Sequence, residues 1–233
     1  MALASAVLAV ANSPFYGLRT KASSVQQALA LLGLNTVTQL VTGLLLRQAF
    51  TALGGPAMER YWKSSTATSL LCAMLCREAV RGDVGVACTY GLFRDCGMPV
   101  MLQRFPIYAD IFDGSALAPG QPVHEIENER YSTNHARLGA QLAGKWQLPE
   151  SMCFAIQHHH EMLYSSETQA QAPAAAVTLV ATGLAAEQLY RCANRAACDE
   201  WAIAGAWALS QLELTPRKFS EISDRVSASI NRL

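Results

Sequence analysis

Apolar residues recur along this chain at intervals of three and four. Val37, Leu40, Val41, Leu44 and Leu45 make one such stripe, Leu70, Leu71, Met74 and Leu75 a second, and Leu138, Leu142 and Trp146 a third. That spacing puts each set on one face of a helix, and the strict alternation of a half-buried strand is nearly absent. The punctuation agrees. Ser23 and Gln26 outline a capping box, Asn35 and Asn134 stand where N-caps belong, and Pro56 and Pro149 are placed to open helices. About ten helices follow, and the fold class predicted is all-α.

Gly54-Gly55-Pro56 is the clearest early break, and it coincides with a change of composition, since Met1 to Met58 contains no Asp or Glu. Residues 1–55 are therefore expected to form an N-terminal helical subdomain, 56–190 a helical bundle, and 191–233 C-terminal helices packed on that bundle. Loops are expected from Phe112 to Val123, around Gly114, Pro119, Gly120 and Pro122, and from Ser165 to Pro173. No internal repeat or low-complexity tail interrupts the pattern.

Composition narrows the function classes. With 233 residues, 51% of them hydrophobic, the chain can bury a core. Its 18 Lys+Arg balance 18 Asp+Glu, which removes the basic field that sequence-blind nucleic-acid binding needs. No apolar run reaches the roughly 18–20 residues of a membrane span, so a soluble, cytoplasmic protein is expected. The apolar opening Met1 to Ala11 lacks the positive n-region of a secretory signal and reads as a buried amphipathic helix. An acid-free first quarter also suits a homodimer face. Seven cysteines without a C-x-x-C read as reduced packing residues; Cys72 and Cys76 share a helix face, but no second pair completes a metal set. The four tryptophans read as core. Hydrolase-elbow, P-loop and dinucleotide fingerprints are absent.

Histidine is where chemistry could sit. His135 opens one helix, and His158, His159 and His160 stand together in another. Successive helical residues point about 100° apart, so at most two of the three neighbours can face one interior site. A histidine cluster of this kind is either a hydrogen-bonded structural feature or a metal site, and composition alone does not choose.

Several motifs then align with a known family. Gly91-Leu92-Phe93-Arg94-Asp95-Cys96-Gly97 resembles the G-L-L-H-D-I-G signature of HD-superfamily phosphohydrolases, with Arg94 in the place of the histidine. Ala11 to Gly17 resembles the A-N-S-x-x-Y-G turn of the HDOD branch of that superfamily, and Val25 to Leu40 its I-x-x-A-I-x-x-L-G-x-x-x-L-x-x-L segment. Tyr61 to Ser65 resembles its W-x-H-S helix opening, and His135 to Pro149 its H-A-x-x-G-x-x-L-x-x-x-W-x-L-P stretch. Ile156 to His159 resembles I-x-x-H-H. The resemblance runs from about Met1 to Glu187, and it implies one or two further family helices ahead of the position of Met1.

The resemblance implies an HD-domain-like helical bundle with an N-terminal helical subdomain. Carried over residue by residue, it puts Lys63 in the place of the first histidine ligand, Arg94 in that of the second and Thr182 in that of the final aspartate. Asp95, His135 and His158 or His159 are retained. Charged guanidinium and ammonium groups offer no lone pair and repel a divalent cation, so no catalytic residue, metal or other cofactor is expected. Arg94 or Lys63 is expected to pair with Asp95 in the core; the alternative is an anion pocket in which Lys63, Arg94 and His135 hold a nucleotide. The E-x-x-D-G-S-G-Y-P motif of the related HD-GYP branch is missing after the histidine pair, and Asp113-Gly114-Ser115 echoes it only by chance. The function implied is a regulatory or adaptor module of bacterial signal transduction, with receiver proteins or cyclic di-nucleotide enzymes as partners. A residual phosphohydrolase is the least favoured reading.

Overall fold

The computed structural model describes residues 3–12, 18, 20–50, 52–79, 82–112 and 121–230. Among them every regular element is helical, in two compact units, Met1–Ala52 and Leu53–Arg232. No helix among the described residues is long and apolar enough to cross a membrane.

The first unit is a helix pair. α1 (Leu3–Ala11) and α2 (Val25–Ala49) bury Val7, Ala11, Ala28 and Val37 between them. Asn12 closes the connection by gripping the backbone of Ala22 from both sides, its Nδ2 donating to the carbonyl at 2.8 Å and its Oδ1 accepting from the N–H at 2.7 Å. That is the work of the Asn in the A-N-S turn; Ser13 to Gly17 lie outside the described residues. Ser24 caps α2, and Gly33, with φ +81°, breaks it in the middle, a conformation that costs glycine nothing.

The second unit begins with Gly55 and Pro56 setting the start of α3 (Pro56–Glu78), as the sequence anticipates. Asp83 caps α4 (Val84–Phe93), accepting from the N–H groups of Gly85 and Val86 at 2.6 and 3.0 Å. α3 and α4 approach closely because Gly91 faces Ser69 and Cys72, where a Cβ would collide with the neighbouring backbone. Ser65 and Ser69 are buried there, and their hydroxyls donate to the carbonyls of Leu92 and Cys88 at 3.0 and 2.6 Å. Next come α5 (Gly97–Arg104), the short α6 (Ala109–Phe112), α7 (Val123–Tyr131) and α8 (His135–Lys145), whose N-cap Asn134 accepts from the Arg137 N–H. α9 (Glu150–His158), α10 (Ser166–Gln171), α11 (Ala174–Ala193), α12 (Asp199–Gln211) and α13 (Pro216–Ile230) complete it. α11 is the central strut, packed on α3, α9, α12 and α13.

The C-terminal helices α12 and α13 lie in the same compact unit as the bundle. Cys72, Cys76, Cys88 and Cys96 are buried, whereas Cys192 is exposed. The expected loop at 113–120, with Gly114, Pro119, Gly120 and the Asp113-Gly114-Ser115 echo, lies outside the described residues.

Candidate functional site

α4 stops at Phe93, and the turn Arg94-Asp95-Cys96 leads directly into α5 at Gly97. That turn lies hard against the first residue of α8, because a Cβ on Gly97 would overlap the His135 carbonyl oxygen. The close approach brings Asp95 and His135 onto one floor. α9 ends at His158, so His159 and His160 leave the helix and fold back over the same floor before a 3-10 turn at Glu161–Leu163.

Each of three imidazoles has its Nδ1 committed to an acceptor. His135 Nδ1 donates to Glu127 Oε2 at 2.6 Å, and the same oxygen accepts the His135 backbone N–H at 2.9 Å. His159 Nδ1 donates to the Ile156 carbonyl at 2.8 Å. His160 Nδ1 lies 2.5 Å from Glu200 Oε1, on the first turn of α12. In the neutral rings this leaves each Nε2 with a lone pair, whereas an imidazolium at His135 would donate its Nε2–H to His160 Nε2 across the 3.0 Å that separates them. One ring nitrogen from each of His135, His159 and His160 lies within 4.8 Å of the others. His159 Nε2 is buried 3.4 Å from Asp95 Oδ1 yet makes no hydrogen bond. His124 stacks on His160 with ring centroids 4.2 Å apart, so four of the five histidines meet here.

Arg94 lies beside them, 4% exposed. Its Nη1 meets Glu187 Oε2 at 2.7 Å and Asp95 Oδ2 at 3.5 Å, and its Nη2 meets Glu200 Oε2 at 3.6 Å. Gly183 on α11 makes the room, since a Cβ there would crowd Tyr90 and the Arg94 stem. The electrostatics follow from this packing. Burial alone would raise the Asp95 carboxyl, but the Arg94 guanidinium and His159 hold it well below the usual carboxylate range. Burial and Arg94 push the His159 imidazolium down to about 4, and burial with the neighbouring imidazoles pushes His160 down as well. Burial also acts against the His135 imidazolium, but Glu127 and Asp95 outweigh it and the net shift is upward. Glu200 is pushed up to about 7 by burial and by the carboxylates of Glu187 and Asp95, which outweigh Arg94.

Above this floor opens a cavity of about 630 Å³. Asp95, Glu125, Glu187, Asp199 and Glu200 line it, against Arg60, Arg94 and Arg191. Arg94 and Arg191 are both engaged by Glu187, the latter at 2.8 Å. The lining is therefore net acidic.

His135, His159 and His160 each bring a ring nitrogen within 4.8 Å of the others, with Asp95 Oδ1 beside them and His159 Nε2 without a hydrogen bond, so the donor set fits a single metal ion. A metal held there would supply Lewis acidity and a bound water. Arg94 sets a fixed positive charge beside these atoms, which opposes a second cation.

A family model for the HDOD domain matches residues 1–162. The chain belongs to the HDOD domain family. A relative from Treponema pallidum, an uncharacterized protein, is 22% identical over 169 residues, which is 72% of this chain and 33% of that one, so this chain spans about a third of its relative's length. Among solved structures, an HDOD domain protein of unknown function from Geobacter sulfurreducens superposes with a TM-score of 0.73 at 19% identity, over 99% of this chain and 79% of that one. A candidate signal transduction protein from Marinobacter aquaeolei gives 0.71 at 21%, over 98% and 51%. A candidate phosphohydrolase from Shewanella amazonensis gives 0.70 at 18%, over 97% and 78%. At these identities the likeness is one of fold.

Within the HDOD frame, two carried-over positions need correction. Lys63 is exposed and does not line the cavity; the next residue, Ser64, does. Counted from Trp62, the third position of W-x-H-S is indeed Ser64. His158 likewise faces outward and pairs with Glu161 at 2.7 Å, while His159 and His160 turn in. Counted from Ile156, I-x-x-H-H ends on His159 and His160. Thr182 is buried, but its hydroxyl donates to the Thr178 carbonyl of its own helix at 2.7 Å. The expected core pairing of Arg94 with Asp95 is present, though the Glu187 contact is shorter. Lys63, Arg94 and His135 do not converge as an anion pocket: Lys63 points away and carboxylates surround Arg94. Glu127, Glu187, Glu200 and His124, which complete the site, stand outside every motif in the sequence.

Proposed function

We propose that this HDOD chain is a regulatory module of bacterial signal transduction that works by binding and does not hydrolyse phosphodiesters. The observation carrying this reading is Arg94, a buried guanidinium tied to Glu187 and Asp95 at the position where the phosphohydrolase signature has its histidine ligand. The Marinobacter aquaeolei structure, described as signal transduction, supports the signalling half. Other cytoplasmic signalling proteins, receiver proteins or cyclic di-nucleotide enzymes among them, are the partners proposed.

The convergent imidazoles favour a second reading, a residual metal-dependent phosphohydrolase. Turnover separates the two. Full-length protein stripped with chelator and reloaded with manganese, zinc or iron is assayed against bis(p-nitrophenyl) phosphate and cyclic di-nucleotides. No hydrolysis above the rate of the free metal is expected. Metal-dependent turnover that disappears in Asp95→Asn would replace our reading with the hydrolytic one.

A further inference from the structure

Two large apolar side chains, Tyr164 and Ile203, line the cavity and are nevertheless 51% and 58% exposed. Tyr164 follows the 3-10 turn at Glu161–Leu163, and Ile203 lies on α12. Apolar surface left open at the edge of a polar cavity is what an interaction site presents before a partner covers it.

The charge around this lip has one sign. Glu125 on α7 and Asp199 and Glu200 at the start of α12 line the same cavity. Burial raises the Tyr164 phenol above its ordinary value, and Glu200, Glu125 and Asp199 raise it further, so three carboxylates act on one half-exposed ring. Glu200 is engaged by His160 and Arg94. Glu125 and Asp199 are exposed and form no ion pair among the described residues. Against them the lining sets Arg60, because Arg94 and Arg191 are already held by Glu187. The excess at the mouth is therefore negative.

The interior of the cavity adds an independent observation. Tyr61 also lines it and is 8% exposed, and its buried hydroxyl has no hydrogen-bond partner. A buried hydroxyl left unpaired is costly, and a polar group entering the cavity would relieve that cost.

We propose that this cavity receives an arginine side chain of a partner protein, its guanidinium stacked on Tyr164 between Glu125 and Asp199 and its stem lying along Ile203. Arginine suits the site better than lysine, because a planar guanidinium stacks on an aromatic ring while its edge donates to two carboxylates. A small free cation would leave Tyr164 and Ile203 in water, whereas the residues flanking an arginine on a protein cover them. The inference rests on the regulatory reading, in which the chain acts through protein binding, and names the chemistry of the partner's contact residue.

The test titrates the full chain with a Gly-Leu-Arg-Leu-Gly peptide blocked at both ends, followed by amide NMR shifts. A second peptide carries citrulline, the uncharged isostere, in place of arginine. The arginine peptide should shift the amides of Tyr164, Asp199 and Ile203, bind at least about fivefold more tightly than the citrulline peptide, and weaken toward about 0.5 M salt. Tyr164→Ala and Asp199→Asn, both at exposed positions, should each weaken it by about threefold to fivefold. Lys63→Ala, outside the cavity, should not. Absence of these shifts up to about 10 mM peptide overturns the inference, as does equal binding of the citrulline peptide or binding unchanged in both variants. Free arginine or spermidine binding as tightly as the peptide overturns it too, since the guest is then a small cation. Failure of the peptide removes this inference alone; the turnover assay decides the regulatory reading.

Discussion

One oxygen of Glu127 holds His135 twice, accepting the ring Nδ1–H at 2.6 Å and the backbone N–H at 2.9 Å. The other oxygen accepts the Tyr108 hydroxyl at 2.5 Å, and the Glu127 side chain is fully buried. Glu127 therefore fixes both the ring orientation and the tautomer of His135. Glu127→Ala strands three buried donors and should destabilise the fold by about 3–5 kcal/mol, read by chemical denaturation. Glu127→Gln keeps the shape but removes the charge that lifts His135. In metal-free protein the His135 titration followed by NMR should then move from above to below the ordinary histidine value.

The Arg94–Glu187 pair gives a pH dependence with a definite sign. Burial raises the Glu187 carboxyl, but Arg94 and Arg191 outweigh it and hold it below its ordinary value. Its stabilisation is therefore present above the unfolded carboxylate range and is lost as pH falls through the lower folded value. Glu187→Gln should cost about 2–3 kcal/mol at pH 7. The gap to the parent should close as denaturation is repeated below about pH 4; a gap constant with pH would mean the charge is not what matters.

Gly97→Ala should be among the most damaging single-methyl changes in the chain. The added Cβ meets the His135 carbonyl and lies 2.7 Å from the Gly139 nitrogen, both backbone atoms that cannot rotate away. We expect a loss of about 3 kcal/mol or more. Thermal denaturation followed by circular dichroism reads that loss; an unchanged Tm would mean that the α5–α8 contact can relax.

Lys63→Ala and His158→Ala should each shift Tm by less than about 2 °C. Lys63 is exposed, and His158 pairs with Glu161 and rests its ring on Phe154, away from the pocket. A larger fall in either variant would show that the inward set has been misassigned.

The chain's periodicity, caps and breaks determined its helices, because amphipathic spacing, Asp and Asn caps and Gly-Pro punctuation act within a few residues of one another. The family was also legible, since its turns and helix packings use the same short motifs, and so was the substitution at Arg94. The inward register was legible too, since W-x-H-S counted from Trp62 points to Ser64 and I-x-x-H-H counted from Ile156 to His159 and His160. A one-residue slip carries a side chain about 100° round a helix, and placing Lys63 and His158 in the pocket was such a slip, which the packing of α3 and the end of α9 expose.

Tertiary structure alone decided the chemistry of the site. Glu127, Glu187 and Glu200 lie on three helices far apart in sequence, and no local pattern marks them as partners of His135, Arg94 and His160. From sequence, Arg94 stands as a lone cation in the place of a histidine. In the folded chain Glu187, Asp95 and Glu200 gather around its guanidinium, and Glu127 holds His135 from a fully buried position. Charge balance is a property of the space the side chains share, and only the packing of α4, α8, α9, α11 and α12 brings them into it.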